Sequence, residues 1–136
     1  MIYNIDSQRV TYMAKPKRSN LDTGRLGEDI VTEYLQGNGV RILERNIRTE
    51  YGEIDILGEE GDCLVFAEVK TRRTKRFGFP ETSVNISKQT HMTNSAIAYL
   101  QETDNLNRTW RIDVISVNMS GDKKPVIEWF KNAITS

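Results

Sequence analysis

Gly52-Glu53-Ile54-Asp55-Ile56-Leu57-Gly58 and Leu64-Val65-Phe66-Ala67-Glu68-Val69-Lys70-Thr71 decide the fold. Both runs are rich in β-branched and apolar residues. The linker between them holds Gly61-Asp62, which suits a two-residue type II′ turn. The spacing predicts a hairpin of strands over 53–58 and 64–71. Side chains alternate faces along a strand. Glu53, Asp55 and Leu57 therefore share one face, and Glu68 and Lys70 share another. A turn centred on Gly61-Asp62 places Asp55 opposite Glu68 and Glu53 opposite Lys70. Opposed residues have Cβ atoms about 4.5–5.5 Å apart.

Sheet stability alone does not select that arrangement, because like charges directly opposed weaken a strand pair. A divalent cation between Asp55 and Glu68 converts the repulsion into coordination. Carboxylate oxygens suit a hard ion, Mg²⁺ or Mn²⁺. Lys70 can orient or deprotonate a water beside such an ion and face a phosphate. The plainer alternative is a solvated strand face with cross-strand ion pairs. An Asp followed at this distance by Glu-x-Lys does not decide between them without context.

Upstream, Leu26, Ile30, Val31, Tyr34 and Leu35 recur at helical spacing. They predict a helix from Asp22 or Thr23, either of which can cap it, to Asn38, with Gly39 as its stop. Glu28 falls at the border of the apolar stripe, beside Val31 and Leu35. Asp29 and Glu33 fall on the far side. The pattern leaves open whether Glu28 looks along the core toward the sheet or is a surface acid favoured by the helix dipole.

A strand is expected over 40–47 and a second helix over 86–101, with Met92, Ala96, Tyr99 and Leu100 on its inner face. Two more strands are expected over 110–118 and 126–130. In the first of these, Ile112, Val114 and Ser116 face one way, and Asp113, Ile115 and Val117 the other. The result is an α/β fold, an α-β-β-β-α-β core with a mixed central sheet flanked by helices. Residues 1–20 read as a flexible basic tail with Met13 as a candidate natural start, and residues 21–136 as a single domain.

The chain has one cysteine, Cys63, and one histidine, His91. This rules out an intramolecular disulfide and argues against a Cys/His zinc site or a Ser-His-Asp triad. Lys and Arg number 19, as do Asp and Glu, so net charge gives no sign of an acidic partner. Its distribution does: Lys70 to Arg76 holds five basic residues in seven, and Glu50 to Asp62 holds six acids and no base. Arg72, Arg73, Lys75 and Arg76 are therefore candidate contacts for nucleic-acid phosphates, although such runs are usually solvated loops. No apolar run is long enough to cross a membrane, and the N-terminus does not read as a signal peptide. The expectation is a cytoplasmic protein without a membrane partner.

Several stretches occur in order: Gly24-Arg25-Leu26-Gly27-Glu28, Arg45-Asn46-Ile47-Arg48, Gly52-Glu53-Ile54-Asp55, Phe66-Ala67-Glu68-Val69-Lys70-Thr71-Arg72, Phe77-Gly78, Lys88-Gln89, Tyr99-Leu100, Arg111-Ile112-Asp113-Val114 and Asn132-Ala133. Together they resemble the YraN family, also called UPF0102, within the PD-(D/E)xK or restriction-endonuclease-like superfamily that includes archaeal Holliday-junction resolvases. Ala67 and Ile112 replace the commoner Val and Phe.

The resemblance implies Glu28, Asp55 and Glu68 as metal ligands, Lys70 as the catalytic lysine and Glu53 as an accessory acid. Gln89, on the inner face at the start of the second helix, could point into the site, or serve only as a cap or a buried hydrogen bond. Lys88 is expected toward the flank. The implied activity is metal-dependent cleavage of DNA, branched or structured DNA included. A nucleic-acid-binding module with the same fold and no turnover is the alternative. The analogy with junction resolvases admits a homodimer.

Overall fold

The computed structural model describes residues 2–3, 20–73, 85–119 and 124–135. Its elements are β1 (Ile2–Tyr3), α1 (Asn20–Gly37), β2 (Arg41–Thr49), β3 (Gly52–Glu60), β4 (Cys63–Arg72), α2 (Ile86–Glu102), β5 (Trp110–Asn118) and β6 (Val126–Ile134). The six strands form one sheet in the order β1-β6-β5-β4-β3-β2. β4 and β5 are parallel and the other pairs antiparallel, so the sheet is mixed. Parallel neighbours need a long crossover, and α2 lies within it. The α-β-β-β-α-β order expected from the sequence is the order found.

The two helices cover opposite faces. Ile30, Val31, Tyr34 and Leu35 of α1 pack with Ile56, Ala67, Ile115 and Val117. Ala96 and Leu100 of α2 pack with Leu57, Phe66, Ile112 and Val114, with Met92 and Tyr99 at the margin. β5 thus divides its side chains between the two cores by simple alternation. α1 ends in a Schellman motif: Val40 N–H donates to Leu35 O at 3.0 Å, Gly39 N–H donates to Gln36 O at 3.3 Å, and Gly39 has φ +90°. α2 is capped by Asn85, whose side chain accepts the Lys88 amide at 2.9 Å.

Four differences from the sequence reading have local causes. α1 starts at Asn20, so Asp22 and Thr23 lie inside its first turn instead of capping it. β2 continues to Thr49, whose hydroxyl bonds Gly52 O and Ser95 Oγ and so ties the β2–β3 turn to α2. β6 continues to Ile134, which is buried against Ile112. Asn132, at φ 52°, and a register shift interrupt its alternation and hide the strand's end in the sequence. Ile2–Tyr3, read as part of a flexible tail, instead pairs with Lys131 and Phe130 on the outer edge of β6. Met1 and residues 4–19 of that tail lie outside the described residues, as do Lys75, Arg76 and Phe77-Gly78.

Candidate functional site

The β3–β4 hairpin has the expected register from Glu60↔Cys63 to Ile56↔Ala67. Gly61, at φ +60°, supplies the left-handed first position of the turn. The ladder stops one residue before the expected Asp55–Glu68 pair. There the Asp55 carboxylate takes the place of a backbone acceptor: Val69 N–H donates to Asp55 Oδ2 at 2.9 Å. Beyond that point β3 is paired only with β2, and Glu53 stands opposite Arg48, not Lys70. The expected Glu53–Lys70 juxtaposition is therefore corrected. Ile54 packs with the α2 core and Ile56 with the α1 core, so strict alternation fails across Asp55.

The parting of the strands lets an acid from α1 approach. Glu28 is half-buried, and its carboxylate converges with those of Glu53 and Asp55. One oxygen from each lies within 4.8 Å of the others. A close helix–strand approach makes this reachable, because a Cβ added at Gly27 would sit 2.1 Å from Thr71 Oγ1. Glycine at 27 lets α1 press against β4 one residue before the acid it delivers. Asp29, the next acid, turns aside and meets Arg45 at 2.8 Å.

Asn46 lies across the gap from this cluster, at φ 55°. In the amide orientation that satisfies its neighbours, its nitrogen donates to Glu28 Oε1 and Glu53 Oε1, each at 3.1 Å. A neutral donor thus bridges two carboxylates. Asn is one of the few residues with a side chain that tolerates this backbone region.

Glu68 is buried, at 6% exposure, and stands against Asp55 from β4. Two ammonium groups meet its Oε2, Lys70 Nζ and Lys88 Nζ, each at 3.7 Å. Lys88, expected on the flank, therefore faces the site from the first turn of α2. Gln89 is half-buried beside it. Arg72 is half-buried at the end of β4, and Arg73 follows it, exposed.

Burial, then the charge of Glu68, pushes the Asp55 carboxyl up to about 7, against the opposing Val69 hydrogen bond. Burial, then the charge of Asp55, raises Glu28 as well, with Arg45 opposing. Such a cluster resists full ionisation without a cation among its oxygens.

On the α1–β2 side the cluster opens into a cleft of about 580 Å³, lined by Arg25, Glu28, Asp29, Arg45, Asn46, Arg48 and Glu53. The sequence reading did not single out these arginines as a group. They come from α1 and β2, and only the packing of the two elements brings them together.

These observations describe a small mixed α/β domain that gathers carboxylates where two central strands part, with cations on both sides. The sequence pattern described as "Uncharacterised protein family UPF0102" matches residues 27–117, and the chain belongs to that family. It is 42% identical over 113 residues to a UPF0102 protein of Dehalococcoides mccartyi, covering 83% of this chain and 93% of that protein. It is 40% identical over 117 residues to a UPF0102 protein of Rhodococcus opacus, covering 84% and 97%. Among solved structures it is similar to Pyrococcus furiosus SfsA in complex with Ca²⁺, with a TM-score of 0.39 and 15% identity, covering 90% of this chain and 66% of that one.

Proposed function

We propose that the protein is a divalent-metal-dependent endonuclease of restriction-endonuclease-like build, hydrolysing phosphodiesters in DNA, branched or structured DNA included. The observation that carries this reading is the convergence of Glu28, Glu53 and Asp55 within 4.8 Å, with the buried Glu68 against Asp55 and Lys70 against Glu68.

The donor set fits a hard cation. Oxygens sharing one Mg²⁺ lie at most about 4.2 Å apart, so small side-chain rotations close the observed spread. All candidate ligands are carboxylates, which favour Mg²⁺ or Mn²⁺ over softer metals. Glu28 from α1, Glu53 and Asp55 from β3, and Glu68 from β4 would hold the ion. When bound, it supplies Lewis acidity that activates water and offsets charge developing on the phosphate.

The chain's own groups do the rest. Val69 N–H fixes the Asp55 carboxylate through Oδ2. Glu68 holds the Lys70 ammonium, which orients the attacking water and faces the scissile phosphate. The water oxygen bonds to phosphorus as the bond from phosphorus to the leaving oxygen breaks, and the proton the water gives up is replaced on the leaving oxygen through solvent. Lys88 adds a second positive group at Glu68, and Arg72 at the end of β4 and Arg73 just after it lie downstream for flanking phosphates.

The test is a panel of labelled duplex, flap, four-way-junction and single-stranded DNA, with matched RNA, incubated with Mg²⁺ or Mn²⁺. Cleavage is expected with the wild type. Asp55→Asn and Glu68→Gln should each lower it by about 10²-fold or more, with their folded circular-dichroism spectra retained. If a pure preparation cuts no substrate with either ion, the reading is overturned.

A further inference from the structure

The cleft on the α1–β2 side is not explained by holding a metal. Three arginines, Arg25, Arg45 and Arg48, line it with three acids, Glu28, Asp29 and Glu53. Arg45 is engaged, at 2.8 Å from Asp29 and 3.5 Å from Glu28. Arg25 and Arg48 are exposed, and neither forms an ion pair among the described residues. Exposed guanidinium groups lining one cleft suit phosphate oxygens through paired N–H donors.

Two of the acids that balance this cleft, Glu28 and Glu53, also belong to the carboxylate cluster. Without a metal, the three arginines and three carboxylates cancel. A divalent ion shared by Glu28, Glu53, Asp55 and Glu68 adds two positive charges at the edge of the cleft. We infer that this cleft is the track for the phosphodiester backbone of the substrate, that Arg25 and Arg48 grip the phosphates beside the one attacked, and that the track becomes anion-binding when the ion is in place. The inference rests on the metal-site reading above and assigns the substrate's path to the α1–β2 side, in addition to the basic run after β4.

No aromatic side chain lines the cleft, so it offers no platform on which bases could stack. Recognition there is of phosphate and sugar and carries no sequence information.

Fluorescence anisotropy of the full chain with labelled single-stranded and duplex oligonucleotides tests this, with Ca²⁺ as the ion and several salt concentrations. Ca²⁺ takes the same oxygen ligands as Mg²⁺. The wild type should bind at least about tenfold more tightly with Ca²⁺ than with EDTA, and equally across sequences. Arg25→Gln/Arg48→Gln should lose about tenfold or more in the presence of Ca²⁺. It should also reduce the slope of log K against log salt by about 1.4 to 1.8, as expected for two lost phosphate contacts. Arg25→Lys/Arg48→Lys should keep most of the slope. Both positions are exposed, so the variants should melt with the wild type.

Wild-type affinity and slope in the glutamine variant would overturn the track even if the wild type cuts DNA. Ion-independent binding would overturn the charge coupling. Binding lost in the glutamine variant, together with a wild type that cuts nothing, would support the track and defeat only the nuclease reading.

Discussion

The Asp55 carboxyl has a folded-state pKa of about 7, set first by burial and then by Glu68, against about 3.9 in an unfolded chain. Between those values the metal-free native state binds a proton that the unfolded chain does not. Stability from this group is therefore fully present below pH 4, falls as pH rises toward 7, and is flat above. Asp55→Asn imitates the protonated form, since its amide still accepts from Val69 and can donate to Glu68. Urea midpoints in EDTA should show the variant gaining on the wild type steadily from pH 4 to pH 7, then holding its lead. A pH-independent difference would refute the assignment. Saturating Mn²⁺ should stabilise the wild type more at pH 8 than at pH 5, because the ion competes with that proton. The sequence could nominate Asp55, since strand alternation and turn position put it near Glu68. It could not show Asp55 taking the Val69 amide in place of a backbone carbonyl, because that choice depends on where β3 and β4 part. Glu28 lay equally at the limit of what pattern can tell. Its stripe-border position set it apart from Asp29 and Glu33, but only packing shows Glu28 turning toward Glu53 and Asp55 while Asp29 meets Arg45.

Helix α1 delivers Glu28 because Gly27 lets it lie against Thr71. In Gly27→Ala the new Cβ overlaps Thr71 Oγ1, and either the threonine or the helix must move. Overpacking of this kind costs typically 1–3 kcal/mol, partly offset by the better helix propensity of alanine, about 1 kcal/mol. A net loss of up to about 2 kcal/mol is expected in chemical denaturation. The sharper consequence is a shifted Glu28 and weaker divalent-ion binding by calorimetry. Thr71→Ala removes the colliding hydroxyl, so the double variant should recover most of both losses; strictly additive losses would show that the contact is not the cause. At this scale the hairpin register was legible, since a two-residue turn at Gly61-Asp62 leaves little freedom in pairing. The arginine cleft was not. Arg25 and Arg48 sit on separate elements, and no periodicity in either one announces that they meet.

Across the whole molecule, a polar network binds the sheet together apart from the carboxylate cluster. Asp113 is fully buried and accepts from Arg111 Nε at 2.9 Å, Trp129 Nε1 at 2.9 Å and Asn132 N–H at 2.8 Å. Arg111 reaches on to Glu60 at 2.8 Å, and Lys131 meets the same acid at 3.3 Å. One buried carboxylate thus joins β5 to β6 and, through Arg111, to β3. Its stretch, Arg111 to Val114, helped to mark the family resemblance, and the hydrogen bonds of Asp113 give that residue work in the fold. Removing one partner of a buried ion pair costs about 3–5 kcal/mol, a large part of the roughly 5–15 kcal/mol that holds a domain folded. Asp113→Ala should therefore lower the melting midpoint by about 10 °C or more. Asp55→Asn removes no such partner and should leave it high. The two variants are expected to part in the opposite sense on divalent-ion titration at a temperature where both are folded. Asp113→Ala should keep near-normal affinity and Asp55→Asn should lose it. If Asp113→Ala abolished ion binding while still folded, the network would be holding the site in shape, and the separation of stability from chemistry in this sheet would be wrong.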